Sequence, residues 1–305
     1  MNIASIDLGS NTVLLLIADV DITSKKIKTI CNEYRIPRIG QGLLPNQPIN
    51  IEKIKLLINI LTEFKNIIFN YDCKYTIVTA TNAFRIASNS KYIIEEIQNN
   101  FYFETNIISG KDESRFSYLG AVHERYYDKK NLVIDIGGGS TEIIFGNNGQ
   151  LFFNESYPIG VVNFTEKYFK NLPPTKEDII EFSQNVNKYL ATVPKLSADI
   201  AIAIAGTPTT LACMKQGLYN FDENLIEGSV LSNEEIKDFE ETLSNLSPTK
   251  IKQLYGEIVK GREDVLYAGT LILKLIISHF ELSEIIVCSK GIRYGAIVDF
   301  LQKNF

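Results

Sequence analysis

Two segments hold the side chains best suited to handling phosphate. Ile6-Asp7-Leu8-Gly9-Ser10-Asn11-Thr12 and Ile134-Asp135-Ile136-Gly137-Gly138-Gly139-Ser140-Thr141 each lead an apolar run into Asp-x-Gly and a small polar loop. Gly9, Gly137, Gly138 and Gly139 allow backbone turns and approaches that a Cβ would block, so successive N–H groups can converge on one phosphate. Ser10, Asn11, Thr12, Ser140 and Thr141 add side-chain donors. Asp7 and Asp135 stand beside the loops, and carboxylates of this kind suit a hard cation such as Mg2+. Either loop alone reads equally well as an ordinary hairpin turn. Together they form an internal repeat.

Further basic and polar residues extend this chemistry. Arg85 follows Thr79-Ala80-Thr81-Asn82, where its guanidinium fork can hold phosphate oxygens bidentately or pair with a structural carboxylate. Arg262 and Arg293 are similar candidates that also read as surface or domain-bridging residues. Gly206 and Thr207 open Gly-Thr-Pro-Thr-Thr after an apolar strand, which makes a third anion site at a helix start or a plain cap with Pro in the first turn. His123 and His279 form no metal constellation and read as structural. Cys31, Cys73, Cys213 and Cys288 lack C-x-x-C spacing, which suggests reduced core residues rather than a zinc site or disulfide framework.

The elements that position these residues follow from hydrophobic periodicity. Strands are expected at Ile3 to Leu8, Val13 to Val20, Lys26 to Glu33 and Tyr75 to Ala80, with a helix over Ile51 to Tyr71 and another after Ala80. A second cycle has strands at Leu132 to Ile136, Thr141 to Phe145 and Leu151 to Tyr157. It continues with a strand at Ile200 to Ala205, a helix from Thr207, a long helix over Arg262 to Phe280, a strand at Glu284 to Cys288 and a closing helix from Ile292. The alternation implies α/β layers. The repeat implies two similar domains facing each other across a cleft, with the boundary in 121–131.

The chain has 305 residues, of which 45% are hydrophobic, enough for two cores. A net charge of −5 without polybasic runs argues against nucleic acid as a partner. The start MNIASIDLGS lacks the pattern of a signal peptide, and no stretch nears the ~20 apolar residues of a membrane span, so a cytoplasmic location without membrane attachment is expected.

The loops look like the phosphate loops of the superfamily of actin, heat-shock chaperones and sugar kinases. The whole chain resembles the Ppx/GppA family of exopolyphosphatases and guanosine pentaphosphate phosphatases. The match runs through Asp7–Thr12, 79–85, Ser109-Gly110-Lys111-Asp112-Glu113, Asp135–Glu142, 205–212, 261–269 and 289–295. The resemblance implies an α/β fold of two actin-like (ribonuclease H-like) domains flanking an interdomain cleft. Domain I would comprise 1–121 plus about 294–305, and domain II 122–293. It implies Glu113 as general base, in a Ser-Gly-x-x-Glu element where Asp112 and Ser114 depart from the family's usual Glu and Ala. Asp135 and Glu142 would help hold Mg2+ and orient water, with Asp7 lining the opposite loop. The implied substrate is inorganic polyphosphate or guanosine pentaphosphate (pppGpp), in a short form that lacks the extra C-terminal helical region of long members. An acceptor-dependent kinase of the same superfamily and a non-catalytic sensor of alarmone or polyphosphate are the alternatives, and a homodimer stays open.

Overall fold

Strand β1 (Asn2–Leu8) is buried from Ile3 to Leu8, which accounts for its continuous apolar run: a strand covered on both faces need not alternate. A computed structural model describes residues 1–122 and 125–305, so the expectation for His123 lies outside the described residues. β1 pairs antiparallel with β2 (Val13–Val20), and β2 with β3 (Ile27–Arg35). Helix α1 (Ile51–Asn70) begins where the Asn50 side chain accepts from the Glu52 N–H and buries Ile54, Leu57, Leu61, Phe64 and Ile68 at helical spacing. After β4 (Tyr75–Ala80) the expected single helix is two, α2 (Asn82–Ile86) and α3 (Ser90–Phe101). They break at Ala87, whose backbone is extended, and Ser90 Oγ donates back to the Ala87 carbonyl at 2.9 Å. β5 (Thr105–Ile107) and α4 (Gly110–Val122) follow, and the sheet order is β3-β2-β1-β4-β5, with β4 parallel to β1 and β5.

The second cycle repeats the plan. β6 (Asn131–Ile136), β7 (Thr141–Asn147) and β8 (Gln150–Tyr157) form an antiparallel meander. Then come α5 (Val161–Tyr168), α6 (Lys176–Leu190), β9 (Ile200–Ile204), α7 (Gly206–Lys215), α8 (Glu223–Ile226), β10 (Val230–Ser232), α9 (Asn233–Ser244), α10 (Pro248–Tyr255), α11 (Leu266–His279) and β11 (Glu284–Val287). The order is β10-β11-β9-β6-β7-β8, so β6, β7, β8, β9 and β11 stand in the places of β1 to β5. α11 starts later than expected, because Gly261 takes a positive φ of 74° and Arg262 to Val265 form turns rather than helix. α12 (Ile292–Asn304) closes the chain.

The chain divides into two compact units, Met1–His123 with Lys290–Phe305, and Glu124–Ser289. The chain thus re-enters the first unit at Lys290 rather than near 294. Arg293 explains why, since its buried guanidinium donates to the Leu15 carbonyl at 3.0 Å and to Asn32 Oδ1 at 2.7 Å, tying α12 to β2 and β3. In the first unit β1 sends Ala4, Ile6 and Leu8 to one core with α1 and α3, and Ile3 to another with Leu119 of α4 and Ile297 of α12. α4 and α12 meet backbone to backbone: a Cβ on Gly120 would overlap the Gly291 carbonyl, and one on Gly295 the Phe116 carbonyl. Arg115 and Asp299 pair across the same contact at 2.5 Å. The second unit has one core, from Ile134 and Ile143 to Leu271 and Ile285.

Each unit is therefore an α/β layer fold of actin-like topology. The four cysteines are free thiols. Burial, then Asp72 and Cys31, push the Cys73 thiol up to about 11, and burial raises Cys31 and Cys213 as well. Thiols held protonated in this way are poor nucleophiles, which suits the reading of Cys31, Cys73 and Cys213 as reduced residues. Burial, then Lys195, pushes His279 below its ordinary range. Among the described residues no helix is long and apolar enough to cross a membrane.

Candidate functional site

The first loop is a turn closed by the Gly9 N–H donating to the Thr12 carbonyl at 3.1 Å, and a Cβ on Gly9 would stand 2.7 Å from that same oxygen. The segment after β3 braces it: the Arg38 N–H donates to Asn11 O at 3.1 Å and the Gly40 N–H to Ser10 O at 2.7 Å. Arg38 adopts φ +53°, and a Cβ on Gly40 would lie 2.8 Å from Ser10 Cβ. With their carbonyls taken up, Ser10, Asn11 and Thr12 have amides with no acceptor among the described residues. Ser10 Oγ and Asn11 Oδ1 are also buried without a partner there. The unsatisfied amides and the Ser10 hydroxyl are donors gathered on one turn, and together they make an anion seat.

The second loop closes the same way, with the Gly137 N–H on Ser140 O at 2.9 Å. Here the brace is the start of α5. The Val161 and Val162 N–H groups donate to Gly137 O at 3.0 Å and Gly138 O at 2.8 Å, and Asn163 Nδ2 donates to Gly139 O at 3.1 Å. The Asn163 side chain also accepts from the Gly160 N–H at 2.9 Å, and a Cβ on Gly160 would overlap the backbone of Gly138 and Gly139. Thr141 departs from its expected role. Its hydroxyl donates to the Ile159 carbonyl in a buried bond, so it holds the strand end to this brace rather than offering a donor.

Glu113 lies in the first turn of α4, where its N–H donates to Ser109 O at 2.9 Å. Its side chain is only 7% exposed and takes Arg85 Nη1 on Oε2 at 2.5 Å, and the same nitrogen donates to Ile108 O at 3.1 Å. Of the two readings open for Arg85, the structure shows the carboxylate partner, and that partner is the candidate base. The exposed Asp112 instead exchanges bonds with Ser109, donating its N–H to Ser109 Oγ at 3.1 Å and accepting that hydroxyl on Oδ2 at 2.7 Å. The two neighbouring carboxylates are thus sorted, Asp112 to the helix cap and Glu113 inward.

Asp135 and Glu142 are register partners across β6 and β7, and Glu142 is in turn opposite Ser156 of β8. Opposed residues on antiparallel strands share a face, so the three form a row. Both acids are buried, and Ser156 Oγ donates to Glu142 Oε1 at 2.6 Å. Among the described residues no three His, Cys, Asp or Glu side chains gather as a ready-made metal cage. Two hard carboxylates on one face fit Mg2+, which completes its shell with water and phosphate oxygens. Asp7 belongs to the first unit, where the equivalent row reads Asp7, Leu14 and Tyr34.

Gly206 and Thr207 begin α7 after Ala205, a non-glycine residue at φ +73° and ψ −164°. The Arg262 guanidinium covers this turn, donating to Gly206 O at 3.2 Å and Thr210 Oγ1 at 3.1 Å. The Thr207 side chain lies against Gly269 of α11, where a Cβ would overlap it, so that hydroxyl packs a helix contact. Sequence reasoning missed both braces, Arg38 to Gly40 and Gly160 to Asn163. The signals available were the closely spaced glycines of Ile39-Gly40-Gln41-Gly42 and the Gly160 that precedes an apolar helix start.

The family model described as the Ppx/GppA phosphatase family matches residues 16–304. A bifunctional 3-dehydroquinate synthase/phosphatase of Fusobacterium nucleatum is 33% identical over 99% of this chain, and the chain spans 47% of that protein's length. A putative exopolyphosphatase of Haemophilus influenzae is 28% identical, covering 99% of this chain and 92% of its own. The crystal structure of the Aquifex aeolicus Ppx/GppA family member overlays with a TM-score of 0.86 at 30% identity, covering 100% of this chain and 99% of that one.

Proposed function

The chain belongs to the Ppx/GppA phosphatase family, and from that premise we propose that it releases terminal phosphate from a phosphoanhydride chain, with inorganic polyphosphate as substrate ahead of pppGpp. The observation that carries this reading is Glu113, a carboxylate buried on α4 and oriented by Arg85 while its neighbour Asp112 takes the capping work. In the proposed reaction Glu113 takes a proton from water as the water oxygen bonds to the terminal phosphorus and the bond to the bridging oxygen breaks. The amides of Ser10 to Thr12 and of Gly138 to Ser140, with the side chains of Ser10 and Asn11, bind phosphoryl oxygens and stabilise charge gathering there. Asp135 and Glu142 would hold Mg2+, which when bound neutralises negative charge on the phosphoryl oxygens.

The H. influenzae relative carries the name exopolyphosphatase, which supports polyphosphate over a nucleotide. Parallel assays of phosphate release from polyphosphate, pppGpp and ATP, each without an acceptor, test the reading. Turnover is expected to be fastest on polyphosphate, and Glu113→Gln to lower it by on the order of 10²- to 10⁴-fold while polyphosphate still binds. Strict dependence on a second substrate would make the protein a kinase. Full activity of Glu113→Gln would remove Glu113 as base.

A further inference from the structure

The connection from β3 to α1, residues 36–50, runs without helix or strand, and an irregular connection of that length in a compact domain commonly carries function. It is nonetheless confined. Pro37, Pro45 and Pro48 each fix a backbone angle, and Ile39 and Ile49 are buried in the core that also takes Phe84 of α2. Lys53 Nζ, in the first turn of α1, donates to the Pro37 carbonyl at 3.0 Å and to Gln41 Oε1 at 3.3 Å. Packed backbone of this kind passes a displacement along rather than absorbing it.

One end is the brace on the first loop, where the Arg38 and Gly40 amides take the Asn11 and Ser10 carbonyls. The other end holds the turn that follows α2. The Asn46 N–H donates to the Ile86 carbonyl at 2.8 Å, and the Ser88 N–H donates to the Gln47 carbonyl at 3.1 Å. Asn89 clasps the same stretch with both ends of its side-chain amide, Oδ1 accepting from the Ile49 N–H at 2.9 Å and Nδ2 donating to the Ile49 carbonyl at 3.0 Å. α2 is five residues long, too short to hold its shape unaided, and Ile86 is its last residue. Arg85 stands immediately before it, with Nη1 on Glu113 Oε2 at 2.5 Å.

We propose that residues 36–50 are a strap that couples the first loop to the Arg85–Glu113 pair, and that Asn89 is the positioning residue at its far end. An anion bonded to the amides of Ser10 to Thr12 needs the loop in its braced shape, so it also stabilises the bonds at Ile86, Gln47 and Ile49 on which the direction of Arg85 depends. The kinetic consequence rests on Glu113 as the base, whereas the coupling itself rests only on the anion seat.

Two measurements on the full chain test this. The first is amide hydrogen exchange with Mg2+ and methylenediphosphonate, a diphosphate analogue that is not hydrolysed. At about ten times its Kd, exchange through any opening that spoils the seat should slow about tenfold. That slowing is expected at Ser10 to Thr12 and also at Asn46 and Ser88. In Asn89→Ala it should persist at the loop and fall below about threefold at Asn46 and Ser88. Protection of the loop that never reaches Asn46 and Ser88 overturns the strap and leaves the anion seat, whereas no protection at Ser10 to Thr12 overturns both. The second is polyphosphate turnover, where Asn89→Ala should lower kcat about tenfold with KM within about twofold, and should add no more than about twofold in an Arg85→Ala background. An unchanged kcat, or a loss that adds in full to that of Arg85→Ala, would leave Asn89 a structural residue and overturn its positioning role. Coupled exchange in a chain that does not turn over polyphosphate would uphold the strap and remove the hydrolytic reading. Should Asn89→Ala fail to fold, Asn89→Asp, which keeps the bond from the Ile49 N–H, reads the same outcomes at smaller size.

Discussion

The two glycine loops share one closing bond and differ in almost everything around it. In both, the first glycine donates to the carbonyl three residues on, at 3.1 Å in Gly9–Thr12 and 2.9 Å in Gly137–Ser140. The first loop rests on two backbone bonds from an irregular segment and keeps Ser10 Oγ and Asn11 Oδ1 unpartnered. The second is bolted to α5 by two backbone amides and an asparagine, with Thr141 spent on the same anchorage. The strand rows diverge in step: Asp135, Glu142 and Ser156 on one side of the repeat, Asp7, Leu14 and Tyr34 on the other. A duplicated scaffold has kept its turn geometry while assigning adaptable hydrogen bonding to one copy and a rigid pair of carboxylates to the other.

The sharpest attempt to break this contrast is alanine at each bracing glycine. Gly160→Ala drives a Cβ into loop backbone that cannot yield, and should cost about 3 kcal/mol in chemical denaturation and remove most activity. Gly40→Ala meets Ser10 Cβ at 2.8 Å, an atom held by its backbone, and should cost about 2 kcal/mol. Equal losses would mean that the braces are equivalent after all. A middle-sized contrast lies in the hydroxyls. Thr141→Val strands the buried Ile159 carbonyl and should destabilise by about 2 kcal/mol. Ser10→Ala removes no protein bond and should stay within about 0.5 kcal/mol in stability, yet lower turnover at least about tenfold. Asn163→Ala should cost about 1 kcal/mol in stability from the lost cap, with no counterpart in the first unit.

What the sequence made legible was local. Asp7-Leu8-Gly9 and Asp135-Ile136-Gly137 announced strand and turn because the apolar run and the glycine are adjacent in the chain, and the loops sit where that pattern put them. The braces were hidden because Gly40 and Gly160 matter through contacts with residues far along the chain. Their need for a missing Cβ arises only once Ser10 or Gly138 is packed against them. Thr141 and Thr207 were read as donors from residue type alone, but burial sent one hydroxyl to Ile159 and the other against Gly269. The start of α11 was misjudged for a related reason, since apolar periodicity carries no mark of the positive φ at Gly261.

The crossing of α4 with α12 has a consequence for how the molecule comes into being. Glu113 rides on a helix whose partner, α12, is made long after it, and Gly120 and Gly295 leave room only for one tight docking. The second unit can finish folding during synthesis, while the first, made earlier, waits for α12. A nascent chain is therefore kept from acquiring its proposed base in working position until α12 has emerged, and a lesion in that helix should silence chemistry that is encoded almost two hundred residues upstream.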